Sequence, residues 1–218
     1  MQTVLTEFFG VPSWIQHIFF ELIAVVILII IGFFVLRSPK SRFSLIFLSI
    51  LDFWKGIASS LMPEEEARKH LPFIFSIFIF ILIMNLMGLI PGLMPPTMNI
   101  NTNIGLAIFS FLYYNFWGFK SHGFGYIKHF LGPFLPIAVL YLPIELISHA
   151  FRIVSLSVRL AGNMTGDHTV LEIFTHLTYV IVPVAFFVLG TIVSVVQAFV
   201  FSILSLIYIA LATGGEEH

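Results

Sequence analysis

The sequence predicts an all-α protein that crosses a membrane several times. Of its 218 residues, 59% are hydrophobic and only 10% are charged, whereas about a quarter of the residues in an ordinary soluble domain carry a charge. The apolar runs are long and continuous, which is typical of membrane-spanning helices and not of the weak alternation in an outer-membrane β-barrel. We therefore expect a single polytopic membrane domain over 1–218, with about five membrane-embedded helical segments and one interfacial amphipathic helix.

The first span is predicted over residues 17–37. Residues 18–36 are just long enough to cross the hydrocarbon core, and the basic residues Arg37, Lys40 and Arg42 follow at once. By the positive-inside rule, the N-terminus lies outside and the first loop is cytoplasmic. No Lys or Arg precedes this cluster, so the basic region of a signal peptide is absent and we expect the first apolar run to be retained.

An interfacial helix and a helical hairpin are predicted next. In residues 43–62 polar side chains recur at spacings of three or four among large apolar ones, which indicates a helix lying in the membrane interface. Residues 63–70 (PEEEARKH) are typical of a solvated cytoplasmic helix start. The span 71–92 then ends in the helix-breaking sequence GLIPGLMPP, and residues 98–119 return to the cytoplasmic side.

Residues 134–176 and 177–213 are predicted to form a long, strongly tilted hairpin. The second segment has no charged side chain and would measure roughly 55 Å as one helix, against a hydrocarbon core of about 30 Å. It must therefore tilt steeply or break, with Pro183 and Gly190 as the candidate break points. The first segment is unusually rich in ionisable residues, which at membrane depth line a cavity or pair internally. These residues are Glu145, His149, Arg152, Arg159, Asp167, His168, Glu172 and His176.

Arg159 is the residue with the strongest functional signal. An arginine near the bilayer centre costs about 2.5–3.5 kcal/mol on insertion scales, so it usually marks an ion pathway or a counter-ion site. The alternative is that residues 145–159 lie at the membrane surface and that Arg159 extends into the lipid headgroups.

Helical periodicity sorts the polar residues of this segment into two stripes. One stripe bears Arg159 and the other begins at His168, nine residues later, on the opposite side of the helix. The first stripe contains Glu145, Arg152, Arg159 and Asn163, and the second contains His168, Glu172 and His176. On the following helix Gln197 is the conspicuous polar residue, and an interhelical hydrogen bond is the commoner role for such a side chain.

Several chemistries are not expected. The sequence contains neither GxxxxGK[ST] nor GxGxxG, so no direct nucleotide binding is predicted. It has no cysteine, and His168 and His176 lack the spacing and flanking ligands of a metal site. We therefore expect no metal, no cofactor and no nucleic-acid partner. No inverted repeat is visible, which disfavours a secondary transporter.

A family resemblance emerges from the last third of the chain. The sequence ISHAFRIVSLSVRLAGNMTGDH, followed by IVSVVQAFVFSILSLIYIAL, resembles subunit a of the F-type ATP synthases. RLxGNM with a downstream QAFxF is a specific signature, and the similarity extends back through MNLMGLIPGLMPPTMNINTNIGLAI at residues 84–108. The resemblance overrides the surface alternative for Arg159.

The resemblance implies a non-catalytic, ion-translocating stator subunit of a rotary ATP synthase. Two offset proton half-channels would lead from opposite membrane faces to the carboxylates of a rotating ring of c subunits. The implied partners are that ring, the b-type peripheral stalk subunits, the remainder of the complex and the lipid bilayer. The implied location is an energy-coupling membrane, either a bacterial plasma membrane or an organellar inner membrane.

The resemblance also assigns roles to individual positions. Arg159 matches the essential arginine that faces the ring between the half-channels. Gln197 matches the partner glutamine that lies near this arginine, and Asn163 matches the asparagine four residues after it in the motif. Glu145 matches a carboxylate of the cytoplasmic half-channel. His168 matches a position, nine residues after the arginine, where the family carries an ionisable residue. We expect His168 to serve the outer half-channel with Glu172, which lies one turn beyond on the same stripe. The accessory candidates are His176, Ser155 and Asn85.

One position departs from the commoner family pattern. Seven residues before Gln197, where the family often has an ionisable residue, this chain has Gly190. Either a water molecule occupies the space, or Glu172 or His176 supplies the missing group.

Two other functions are compatible with the composition. A stand-alone ion channel or transporter would use the buried arginine as a selectivity or counter-ion site and would purify as a self-contained oligomer. A purely structural membrane scaffold would tolerate replacement of each buried ionisable residue.

Overall fold

The structure is a computed structural model that describes residue 12 and residues 15–90, 93–123, 135–177 and 181–214. For residues 135–143, 145, 146, 149, 176, 177, 181 and 183 it describes the helical backbone alone. The described part is all-helical, which confirms the predicted fold class. Its elements are α1 (Gln16–Arg37), α2 (Arg42–Leu61), α3 (Glu64–Met87), a 3-10 turn (Pro96–Met98), α4 (Ile100–His122), α5 (Leu135–Leu177) and α6 (Ile181–Thr213).

Four helical stretches within the described residues are long and apolar enough to cross a membrane. They are Gln16–Arg37, Arg42–Leu61, Glu64–Met87 and Val184–Thr213. The second of these is α2, so length and composition alone do not separate it from a span. Its predicted position in the interface stays a prediction, supported by the polar residues that recur along it.

Short polar side chains and a glycine set the helix ends. The hydroxyl of Ser41 accepts a hydrogen bond from the amide of Ser44 at 3.1 Å, and the side chain of Asn99 accepts one from the amide of Asn101 at 2.9 Å. These bonds satisfy amides that have no partner inside the helix. Helix α4 ends at His122 and is capped by Gly123, whose φ is 55°. A residue with a Cβ atom would be strained in this backbone conformation.

Helix α3 differs from the predicted span 71–92 at both ends. It begins at Glu64, so the charged segment is continuous with the apolar one, and Pro63 precedes the first turn. The glutamates of that turn lie at the positive end of the helix dipole, which favours a helix start there. The helix ends at Met87, because the following Gly and Pro residues cannot continue it.

Helices α3, α4, α5 and α6 form the packed centre of the described structure, with α1 and α2 against α3. The side chain of Trp54, from α2, is fully buried, and its ring centroid lies 5.3 Å from that of Phe78 and 5.4 Å from that of Phe199. Small side chains let α4 approach α6, where the hydroxyl of Ser110 bonds that of Ser205 at 2.9 Å. Small and hydroxyl-bearing residues are typical of interfaces between membrane helices.

The last two helices are long and uninterrupted. Helix α6 continues through both Pro183 and Gly190, so neither candidate break point interrupts it. Pro183 lies in the first turn, where an amide has no intrahelical partner to lose. At 33 residues, α6 measures about 50 Å, and at 43 residues, α5 measures about 65 Å. Both exceed the hydrocarbon thickness of about 30 Å, so each must tilt or project from it.

Candidate ion-translocation site

Asn163 of the RLxGNM signature and Gln197 of the QAFxF signature meet across the α5–α6 contact. The amide Nδ2 of Asn163 donates a hydrogen bond to Oε1 of Gln197 at 2.8 Å. Gln197 is only 4% exposed, so its polar group needs this partner. Asn163 lies one helical turn after Arg159, and the bond therefore fixes the separation of α5 and α6 beside the arginine.

Arg159 itself lies on an outward face of α5. The surrounding face is apolar, with Phe151 66% and Val158 50% exposed. A Cβ atom added at Gly162 or Gly166, on the same face, would contact nothing within 4 Å. The guanidinium of Arg159 makes no hydrogen bond or ion pair with any other residue that the structure describes. A permanent cation on an apolar surface is costly at membrane depth, and an anionic partner would offset that cost.

His168 faces a small internal cavity on the other side of α5. The cavity has a volume of about 10 Å³, and its polar lining comes from Asn85, Asp167, His168 and Ser194. Two buried polar atoms at this cavity, Nδ1 of His168 and Oγ of Ser194, have no hydrogen-bond partner in the described structure. A polar cavity of about this size can hold one water molecule with several partners. Nδ1 of His168 and Oγ of Ser194 would be partners for such a water molecule.

Asp167 occupies the space opposite Gly190. A Cβ atom built on Gly190 would lie 2.5 Å from Oδ2 of Asp167 and 3.2 Å from Cδ2 of Leu89. The sequence left three alternatives for the group missing at this position, namely water, Glu172 or His176. The structure instead places there the carboxylate of a fourth group, Asp167. The available signal was a carboxyl residue directly before His168 combined with a glycine on the facing helix.

A chain of buried hydrogen bonds connects this cavity to the start of α4. Nδ2 of Asn103 donates to the carbonyl oxygens of Thr97 at 2.7 Å and Ser157 at 3.5 Å. The hydroxyl of Thr97 donates to Oδ1 of Asn85 at 2.8 Å, and Nδ2 of Asn85 donates to the carbonyl of Ser194 at 3.1 Å. Sequence reasoning included Asn85 as an accessory residue but missed the others, since isolated Thr and Asn residues do not reveal which helices they join.

The remaining candidates are dispersed along α5. Ser155 is exposed one turn before Arg159, and Glu172 is partly buried one turn beyond His168. Arg152 stacks its guanidinium over the ring of Tyr208 on α6, with 4.8 Å from Cζ to the centroid, which is the geometry of a cation–π contact. The side chains of Glu145 and His176 lie outside the described residues.

Carboxylates and imidazoles do not gather into a metal site in the described residues. No group of three or more His, Asp or Glu side chains there could hold a metal ion. The Asp167 and His168 pair, with its amide and hydroxyl neighbours, places proton donors and acceptors around one small cavity.

Comparisons with known proteins match almost the whole chain. The family model described as ATP synthase A chain matches residues 18–210. The chain is 46% identical over 182 residues to ATP synthase subunit a of Bdellovibrio bacteriovorus, which covers 82% of this chain and 79% of that protein. It is 40% identical to subunit a of Oleidesulfovibrio alaskensis over 93% of this chain and 87% of that protein. It is 45% identical to subunit a of Aliarcobacter butzleri over 75% and 73%, respectively.

The matched segment contains the Arg159 face, the Asn163–Gln197 bond and the cavity at His168. With helices that fit a membrane and relatives of this identity along most of its length, the chain belongs to the ATP synthase subunit a family.

Proposed function

We propose that this protein is the stator subunit that delivers protons to, and receives them from, a rotating ring of c subunits in an ATP synthase. Two offset half-channels would open to opposite sides of the membrane. Protons moving through them would turn the ring and drive ATP synthesis by the soluble subunits of the complex. The chain itself is non-catalytic in this proposal and resides in the bacterial plasma membrane, as the bacterial relatives suggest.

The observation that carries the proposal is the placement of Arg159. A fixed guanidinium on an apolar outward face attracts a carboxylate from a facing protein and favours its deprotonated form. Because arginine stays charged, the same group blocks direct passage of protons between the two half-channels. Open space beside Gly162 and Gly166 lets the helices of a ring pack close to this face.

The cavity at Asp167 and His168 supports an outer half-channel that ends near the ring. A histidine exchanges protons near neutral pH, and a carboxylate beside it can accept or donate the next proton. The hydrogen bonds from Asn85 to Ser194 and Thr97 fix the walls of this cavity. Glu145 is proposed to serve the cytoplasmic half-channel, on the strength of its match to the family pattern. Glu172 and His176 remain proposed neighbours of the outer path.

Coupling follows from separation of the two paths. His168 lies on the opposite side of α5 from Arg159, so a proton cannot reach the cytoplasmic side without first boarding the ring. Moving one elementary charge through 100 mV is worth about 2.3 kcal/mol. The stator must hold its arginine still against the ring, and the Asn163–Gln197 bond beside it supports that rigidity.

The proposal is tested by replacing Arg159 in the assembled complex. We expect Arg159→Ala to reduce ATP-driven proton pumping in inverted vesicles to background, with Arg159→Lys unable to restore it because an apolar site deprotonates lysine. Arg68→Ala is a matched control, since the Arg68 side chain is 66% exposed and, among the described residues, pairs with Glu64 one turn away, an interaction worth about 0.3–0.5 kcal/mol. Normal pumping by assembled Arg159→Ala complexes would exclude the stator charge.

Purification separates this function from a stand-alone channel or transporter. A stator subunit leaves the membrane in mild detergent together with c subunits, the b-type stalk and the soluble ATPase subunits. A self-contained homo-oligomer that conducts ions without them would contradict the proposal.

A further inference from the structure

A second polar site lies at the start of α1, on the same end of the bundle as the His168 cavity. Glu21 is the acidic residue of this apolar helix, and its Oε1 accepts a hydrogen bond from the hydroxyl of Thr102 on α4 at 2.5 Å. A carboxylate in a membrane helix is costly and marks a functional position by default. The roles assigned so far to the outer path do not use it.

Glu21 borders a cavity that is far larger than the one at His168. This cavity has a volume of about 280 Å³, and its polar lining is His17, Glu21, Asn101 and Thr102. Among its described lining residues, His17 and Glu21 are the ionisable ones. We call this space the α1–α4 vestibule. Its volume can hold several water molecules, and its polar lining supplies them with partners.

Three cavities lie next to one another between the vestibule and His168, and each neighbouring pair has one lining residue in common. His17 also lines an adjacent cavity of about 270 Å³, whose other walls include Pro95 and Asn99. Pro95 in turn lines the small cavity that contains Asp167 and His168. Three neighbouring spaces therefore extend from the outside of α1 to the interior of the α5–α6 hairpin.

Hydrogen bonds also lie between the vestibule and the His168 cavity. Thr102 and Asn103 are consecutive on α4 and face different neighbours, because Thr102 donates to Glu21 while Asn103 donates to the carbonyl of Thr97. From Thr97 the buried chain continues through Asn85 to the wall of the His168 cavity. Polar groups thus bridge α1, α4, the 3-10 turn, α3 and α6 at one end of the bundle.

Charge distribution assigns this end to the outer side of the membrane. Arg37, Lys40 and Arg42 lie at the C-terminal end of α1 and the following loop, and Lys120 lies at the C-terminal end of α4. Glu21 and Thr102 lie near the N-terminal ends of those same helices. By the positive-inside rule the basic end is cytoplasmic, so the vestibule opens toward the outside.

We propose that His17 and Glu21 form the proton-collecting entrance of the outer half-channel and supply the cavity at Asp167 and His168. The inference rests on the proposed function and adds to it a lateral entry between α1 and α4. A carboxylate and an imidazole on the wall of a space that can hold water are the groups that a proton entrance needs. If Glu21 served only to hold α1 against α4 through its hydrogen bond, an uncharged acceptor of the same shape would preserve proton conductance.

The isosteric variant Glu21→Gln distinguishes these two roles. The glutamine carbonyl still accepts the hydrogen bond of Thr102, so packing is kept while proton exchange is lost. In vesicles stripped of the soluble ATPase subunits, we expect passive proton conductance to fall about tenfold, equivalent to about 1.4 kcal/mol in the barrier to entry. Glu65→Gln, an exposed residue in the first turn of α3 at the basic end, is the matched control and should conduct like the wild type.

Wild-type conductance in an assembled Glu21→Gln complex would overturn the entrance role. If that variant does not assemble, Glu21→Cys gives a second measurement, because the chain has no native cysteine. A membrane-impermeant cationic thiol reagent, added from the outer side, should react with it and block conductance. Failure to react, or reaction without a block, would equally reject the entrance.

Comparison with Arg159→Ala separates this inference from the function on which it rests. Loss of coupled pumping in Arg159→Ala together with unchanged conductance in Glu21→Gln would reject the entrance alone. Normal pumping in Arg159→Ala would reject the stator role whatever the outcome at Glu21.

Discussion

At the scale of single residues, the site depends on the absence of a side chain at Gly190. Gly190 leaves the space into which Asp167 extends from the facing helix, next to Leu89. A carboxylate can reach the same position in space from either helix, since α5 and α6 run side by side there. The ionisable pair of the outer path would then consist of consecutive residues, Asp167 and His168, on one helix.

This geometry predicts a specific dependence between positions 167 and 190. Gly190→Ala would put a methyl group within 2.5 Å of Oδ2 of Asp167, so the carboxylate must rotate away and ATP-driven pumping should fall about tenfold, or about 1.4 kcal/mol in barrier. Moving the carboxylate, in Asp167→Gly with Gly190→Asp, should recover more activity than Asp167→Gly alone. Pumping per assembled complex in inverted vesicles measures all three.

One outcome would contradict this geometry. If the double replacement pumps no better than Asp167→Gly alone, the two positions do not share one space. Gly32→Ala is a control for a glycine of a membrane helix, because a Cβ atom there would meet nothing within 4 Å.

At the scale of helices, polar residues fix which helices pack together. Asn85 is 1% exposed and ties α3 to both α6 and the 3-10 turn, while Ser110 and Ser205 tie α4 to α6. Water is absent from the hydrocarbon core, so a polar side chain there seeks a partner on a neighbouring helix. These bonds specify register, which the uniform packing of Phe, Leu and Ile leaves less defined.

Replacing Asn85 should therefore loosen the bundle as well as the path. Asn85→Leu removes two hydrogen bonds and deprives the hydroxyl of Thr97 of its acceptor, at an expected cost of about 1–2 kcal/mol. We expect a lower midpoint of thermal unfolding for the detergent-purified complex and slower pumping. Thr169→Val is the matched control, because the exposed Thr169 hydroxyl bonds only a carbonyl of its own helix, that of Thr165 at 2.7 Å. Equal midpoints for both variants would contradict the role given to Asn85.

The sequence largely predicted which residues form helices, but it did not predict which helices pack together. The uncharged run after residue 176 and the turn sequence GLIPGLMPP locate helices because hydrophobicity and proline act locally. An interhelical hydrogen bond was the commoner role expected for Gln197, but its partner Asn163, which lies 34 positions earlier, was not predicted. Asp167 was predicted among the ionisable residues of this segment but not as the group beside Gly190, because that position depends on a glycine of another helix.

At the scale of the whole molecule, apolar surface and charge define an orientation. Large apolar side chains cover the outside of the bundle, among them Leu36 at 83% and Phe151 at 66% exposed. In water such an apolar surface would promote aggregation, whereas in a bilayer it contacts lipid. The vestibule and the His168 cavity lie at one end of this bundle, and the basic loops lie at the other. The two ends of the bundle therefore differ in charge and in polar cavities, as the proposed proton path would require.

Orientation is testable because the chain has no cysteine of its own. We expect cysteines at Lys40 and Lys120, both exposed at the basic end, to react with an impermeant maleimide only in inverted vesicles, and one at the exposed Asn101 to react only from the outer side. Cysteines at positions 3 and 216, which lie outside the described residues, should likewise react from opposite sides. Reaction of positions 40 and 101 from the same side would exclude the orientation, and with it the assignment of the His168 cavity to the outer half-channel. The Arg159 stator role would survive that result, because a guanidinium midway along α5 acts on the ring whichever end of the bundle faces out.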